Sequence, residues 1–187
     1  MQKLKKTGRS KFKFRYLFGF LLFVWPVTLP AQNFPVDAAT GKIYYAEEVL
    51  VKDGPQWELY HRAKAWFATF GKTKHVITVD DLPNGVLIGQ NYSPLLVTSP
   101  GKNQRCNLWY TLKIEIADDR YWYSLTNFEL EPVITLKANA AKPVITRQPL
   151  ELAVLPQKGK SSPDKPLSEA VHESLFSLIQ SIKKSMD

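Results

Sequence analysis

A single cysteine, three histidines and two methionines in 187 residues leave little material for several kinds of chemistry. Cys106 alone cannot form an internal disulfide, so the fold must be held by an apolar core. His61, His75 and His172 stand in no metal-binding spacing such as His-x-x-x-His, and metal sites are demanding about ligand number and spacing. No Gly-rich phosphate loop and no Gly-x-Ser-x-Gly elbow is present. Acidic residues are missing from the first 31 positions, whereas seven of the 25 Lys and Arg fall there: Lys3, Lys5, Lys6, Arg9, Lys11, Lys13 and Arg15.

Those basic residues precede an apolar run from Tyr16 to Leu29 that ends in Pro30-Ala31-Gln32. A basic segment, a hydrophobic segment and a small residue at a cleavage position are the three parts of a secretory signal peptide. The run is broken by Pro26 and is shorter than the ~20 apolar residues a spanning helix needs. Residues 1–31 are therefore expected to be a signal peptide, cut between Ala31 and Gln32. No cysteine stands just after the apolar run, so a lipid-anchored form is not expected. The protein is expected to be exported, periplasmic or extracellular, touching a membrane only through the leader before cleavage.

Removing the leader changes what the charge means. The whole chain has a formal net charge of +8, but 18 Lys and Arg against 17 Asp and Glu remain beyond residue 31. A basic balance points to nucleic acid or an anionic surface; this one belongs to the targeting segment. Nucleic acid is not an expected partner.

The mature chain fits one domain. Lys42 to Val51 reads as a strand with Ile43, Tyr45, Val49 and Val51 on one face. Asp53-Gly54-Pro55 turns the chain into a helix, with proline in the first turn where its missing donor does no harm. Trp57, Tyr60, Ala63, Lys64 and Phe67, bordered by Leu59, Trp66 and Phe70, make its broad face, and Gly71 is its expected C-cap. His75 to Asp80 and Val86 to Tyr92 read as strands, with Gly89 weakening the second. Ser93 to Gln104, with two prolines and Gly101, reads as a loop.

Leu108 to Ile116 alternates most strictly. Leu108, Tyr110, Leu112, Ile114 and Ile116 form one face, and Trp109, Thr111, Lys113 and Glu115 the other. Asp118-Asp119 is a tight hairpin into the aromatic strand Arg120 to Leu130. Residues 131–166 read as a Pro-rich connection within the domain, with extended pieces at Val133 to Leu136 and Leu150 to Leu155. Leu167 to Met186 is an amphipathic helix started by Ser168, with Lys183 and Lys184 at the favourable end of its dipole. The domain thus comprises 32–130 and 167–187, in the order β-α-β-β-β-β-α.

The stretches GKIYYAEEVLV, WELYHRAKAWFATF, DDLPNGVLIG and LWYTLKIEIADDRYWYSLTNFEL, from Gly41 to Leu130, resemble a family of unknown function with a TATA-binding-protein-like (TBP-like) fold, found in exported bacterial proteins. The resemblance implies an α+β domain whose curved antiparallel sheet carries its helices on one face. Asp119 stands where the family usually has glycine in the last hairpin. The resemblance implies no catalytic residue.

Cys106 with a distant histidine could imitate a thiol nucleophile, against the simpler reading of a buried cysteine. Asp80-Asp81 and Asp118-Asp119 resemble acid pairs, but strand-end aspartates commonly form turns, and neither pair supplies the oxygens of a Ca2+ site. If the face of Leu108, Tyr110 and Leu112 packs on helices, Trp109 projects from the opposite face with Lys113, and Trp122 joins it depending on register. Exposed aromatics there suit a protein or glycan partner, unless residues 131–166 fold back over them. The expected function is non-catalytic binding of another envelope component, with no metal or other cofactor. The alternative is a hydrolase-type enzyme with a cleft gathering His61 or His75 with Asp80 and Asp81.

Overall fold

The computed structural model describes residues 34–69, 76–99, 101–133, 146–156 and 164–187. The signal peptide with its Ala31/Gln32 cleavage position, the Gly71 cap, His75 and the extended piece beyond Val133 lie outside the described residues.

Strict alternation in the chain builds the sheet. Strand β1 (Tyr45–Leu50) leads into helix α1 (Gln56–Thr69), strands β2 (Val76–Asp81), β3 (Val86–Ser99), β4 (Lys102–Ala117), β5 (Arg120–Pro132) and β6 (Gln148–Pro149) follow, and helices α2 (Glu151–Val154) and α3 (Lys165–Met186) close the order. The sheet is antiparallel in the order β1-β5-β4-β3-β2, and β6 continues the β1 side of β5. Helices α1 and α3 pack on one face and on each other. Leu108, Tyr110, Leu112, Ile114 and Ile116 are all buried on that face. They meet Tyr121, Tyr123 and Leu125 of β5 and the α3 stripe Leu167, Val171, Leu175, Leu178, Ile182 and Met186.

Polar groups join the layers. The indole of Trp66 on α1 donates to Ser181 Oγ on α3 at 2.9 Å, and Arg62 donates to the Met186 carbonyl at 2.7 Å. Glu47 on β1 accepts from Lys183 of α3 at 2.6 Å and from the Tyr123 hydroxyl at 2.7 Å. The two-residue turn Asp118-Asp119 locks the start of α1. Asp118 accepts from the Gln56 amide at 2.8 Å, Asp119 accepts from the Gly54 amide at 3.0 Å, and Asp119 takes a left-handed φ of 62°.

Four expectations need correction. Ser93 to Gln104 is no loop: β3 and β4 pair without interruption from Val86↔Glu115 to Ser99↔Lys102, with Leu95 and Val97 buried. Among the described residues β2 pairs β3 only as far as Gln90, so Pro94 sits where β3 has no described neighbour on that side and its missing N–H costs no bond there. Leu150 to Leu155 is not extended either; Leu150 is buried and leads into the single turn of α2. Helix α3 starts earlier than Leu167, capped by Asp164, whose carboxylate accepts from the Leu167 amide at 3.1 Å. Trp57 is 62% exposed, because α1 buries the arc of Leu59, Tyr60, Ala63, Trp66 and Phe67 and turns its first residues away.

Candidate functional site: the open face of the sheet

The alternation that buries Leu108 and Leu112 sends their neighbours to the face opposite α1 and α3. Across that face Trp122 stands between Glu115 of β4 and Glu48 of β1, Lys113 stands between Ile88 and Ser124, and Trp109 stands between Tyr92 and Glu129. Trp109 and Trp122 therefore share the face but not a patch. Trp122 is level with Glu115, six residues along β4 from Trp109, which at the strand rise is about 20 Å.

Trp109 is held by three side chains. Its ring lies 4.7 Å from that of Tyr92, centroid to centroid, and its indole N–H donates to Glu131 Oε2 at 2.9 Å. The Arg147 guanidinium carbon lies 3.6 Å from the ring centroid, a cation–π contact, and Arg147 also approaches Glu131 at 3.5 Å and Glu129 at 3.8 Å. Arg147 belongs to the Pro-rich connection, whose return beside β5 brings it over this tryptophan. Hydrogen bonds from Asn107 and Trp109 hold the Glu131 carboxyl below its ordinary range, so it stays ionised.

Trp122 is freer. It is 37% exposed, beside Leu50 at 73%, and the Arg120 guanidinium lies 5.9 Å from its ring centroid while pairing with Glu48 at 3.1 Å. Lys113 pairs with Glu115 at 2.9 Å, both side chains well exposed. Apolar area rimmed by exposed ion pairs is how many protein-binding surfaces are composed. Arg147, Tyr92, Arg120 and Glu48 were missed in the sequence. Continuing the Ile88-Gln90 alternation one step would have placed Tyr92; nothing local signals that Arg147 returns to Glu131, 16 residues earlier.

The acid pairs are spent on structure. Asp80 accepts from the Tyr60 hydroxyl and from Lys64, each at 2.6 Å, while Asp81 accepts from the amide and side chain of Asn84 in the following turn. The bonds from Lys64 and Tyr60 hold the Asp80 carboxyl below its ordinary range. His61 lies against the Trp57 and Tyr60 rings and makes no hydrogen bond to either aspartate among the described residues. His172 stacks on Phe34 at the other helix, 4.1 Å between centroids. Cys106 is buried on the helix side of β4, and burial pushes its thiol pKa up, away from the reactive thiolate. Among the described residues no three His, Cys, Asp or Glu side chains gather as a metal site would require.

With this geometry in hand, comparison identifies the fold. Residues 45–131 match the family model described as a domain of unknown function (DUF4468) with TBP-like fold, the family whose resemblance the strand and turn motifs carry. A TBP-like protein from Parabacteroides distasonis is similar at a TM-score of 0.61 and 14% identity, over 81% of this chain and 96% of that one. A DUF4468 family protein from Bacteroides ovatus is similar at a TM-score of 0.60 and 12% identity, over 81% of this chain and 90% of that one. No curated protein matches the chain. The fold is α+β and TBP-like, with a curved antiparallel sheet.

Proposed function

We propose that this TBP-like chain of the DUF4468 type is exported and acts as a non-catalytic module that binds another envelope component through the Trp122 end of its open sheet face. The observation that carries the reading is the pairing of exposed Trp122 and Leu50 with flanking charges on a sheet face that α1 and α3 leave uncovered. Large aromatics bury much area at little entropic cost and dominate binding energy where they are central. The signal-like segment 1–31 supports export, and the near balance of charge beyond it speaks against a nucleic-acid partner.

The test is a cross-linked pull-down from the protein's own cell envelope with the mature chain and its Trp122→Ala variant, after circular dichroism shows both folded. The reading predicts a specific partner lost with Trp122→Ala. Identical recoveries from both baits would remove the sheet face as the binding surface. Export is checked separately by N-terminal sequencing of the mature protein, expected to begin at Gln32.

A further inference from the structure

Along the outer edge of β5, β1 pairs residues 120–125 and β6 pairs residues 129–130, leaving Thr126, Asn127 and Phe128 between them. The β4–β5 register shifts at the same level, between Trp109 and Thr111, and Asn127 takes a left-handed φ of 51°. A bulge bends its strand and re-aims side chains, and bulges concentrate beside functional sites. Here it lies at a cleft of about 320 Å³, at the lower end of the size range for small-molecule sites, ~300–1,000 Å³.

The lining is balanced. Its walls carry two cations, Lys42 and Arg147, and two carboxylates, Glu129, 3.8 Å from Arg147, and Glu151, which accepts from the Ile43 amide at 2.9 Å. Between them stand the Thr111 hydroxyl and the Asn127 amide, joined by a long hydrogen bond of 3.4 Å that a ligand hydroxyl can replace. Lys42 makes no ion pair among the described residues, so its donors are available. One wall is Trp109, already fixed by Tyr92, Glu131 and Arg147, so little ordering remains when a ligand arrives.

We propose that this cleft binds a neutral polyhydroxylated ligand, a small saccharide or the terminal sugar of a glycan. Equal numbers of cations and carboxylates favour no ion of either sign. Hydroxyl groups, each both donor and acceptor, suit a lining that mixes ammonium, guanidinium, carboxylate, amide and hydroxyl within reach of one aromatic wall. The cleft lies at the opposite end of the face from Trp122, so this inference stands or falls apart from the partner proposed above.

The experiment follows the Trp109 indole N–H by 1H–15N NMR while the purified protein is titrated with glucose, galactose, lactose, N-acetylglucosamine and its β1,4-linked dimer. At least one should give a saturable shift with a Kd of about 1 mM, lost in Asn127→Gly, which keeps the backbone free to hold its positive φ. A disaccharide bound more tightly than its monomer marks a glycan end, and equal binding marks a free sugar. The proposal is overturned if no sugar moves the signal at about 50 mM, if the shift survives Asn127→Gly, or if acetate or methylammonium moves it equally.

Discussion

The two faces of one sheet, drawn from the same strands, are built on different physics. On the helix face, Leu112 and Ile114 are almost fully buried against α1, α3 and the aromatic rows of β5. One residue away, Lys113 and Glu115 stand in solvent as an ion pair. The first face is held by area removed from water; the second is arranged but held by little, since exposed pairs contribute ~0–1 kcal/mol. A surface that stability does not need is one that function is free to use.

Truncating neighbours on β4 separates the two faces most strongly. Leu112→Ala should destabilise by about 2–5 kcal/mol through transfer and cavity terms, whereas Lys113→Ala should stay within about 0.5 kcal/mol, both read by urea unfolding. Similar losses from the two would mean that the open face is covered in solution.

A smaller effect is expected at the turn between the faces. Asp119→Ala removes the acceptor of the Gly54 amide and leaves a side chain at φ 62°, and should cost about 1–3 kcal/mol. Asp119→Gly loses the same bond but relieves the backbone, so it should lie nearer the wild type. Equal melting temperatures for the two variants would show that the φ angle contributes nothing.

The smallest effect is acid sensitivity. Bonds from Lys183 and Tyr123 hold the Glu47 carboxyl below its ordinary 4.5, tying β1 to α3. A carboxylate whose folded pKa is depressed stabilises the fold above its unfolded value, and that stability is lost as pH falls through the folded one. The melting temperature should therefore decline below about pH 4.5 and decline less steeply in Glu47→Gln. Glu131 on the open face carries the same sign for a different cause, the bonds from Asn107 and Trp109, so the variant should remove only part of the slope.

Much of the helix face was legible in the sequence, because burial writes itself as period two in Leu108 to Ile116 and as a helical stripe from Leu167 to Met186. The β3–β4 hairpin was hidden by Pro94, Pro100 and Gly101, whose usual meaning is a loop; an edge position overrides that meaning, and only the sheet order reveals the edge. The candidate site was half legible. Alternation put Trp109, Lys113 and Trp122 on one face, but register separated the tryptophans, and the guanidinium over Trp109 comes from a segment without a periodic signal.

Central to the proposed function is that the protein meets its partner through the open face and not through its helices. The direct measurement is photo-cross-linking in the native envelope, with benzoylphenylalanine in place of Trp122 or, on the exposed side of α3, of Phe176, which is 66% exposed. A discrete adduct is expected from position 122 and none from position 176. An adduct from 176 alone, or the same adducts from both, would contradict it.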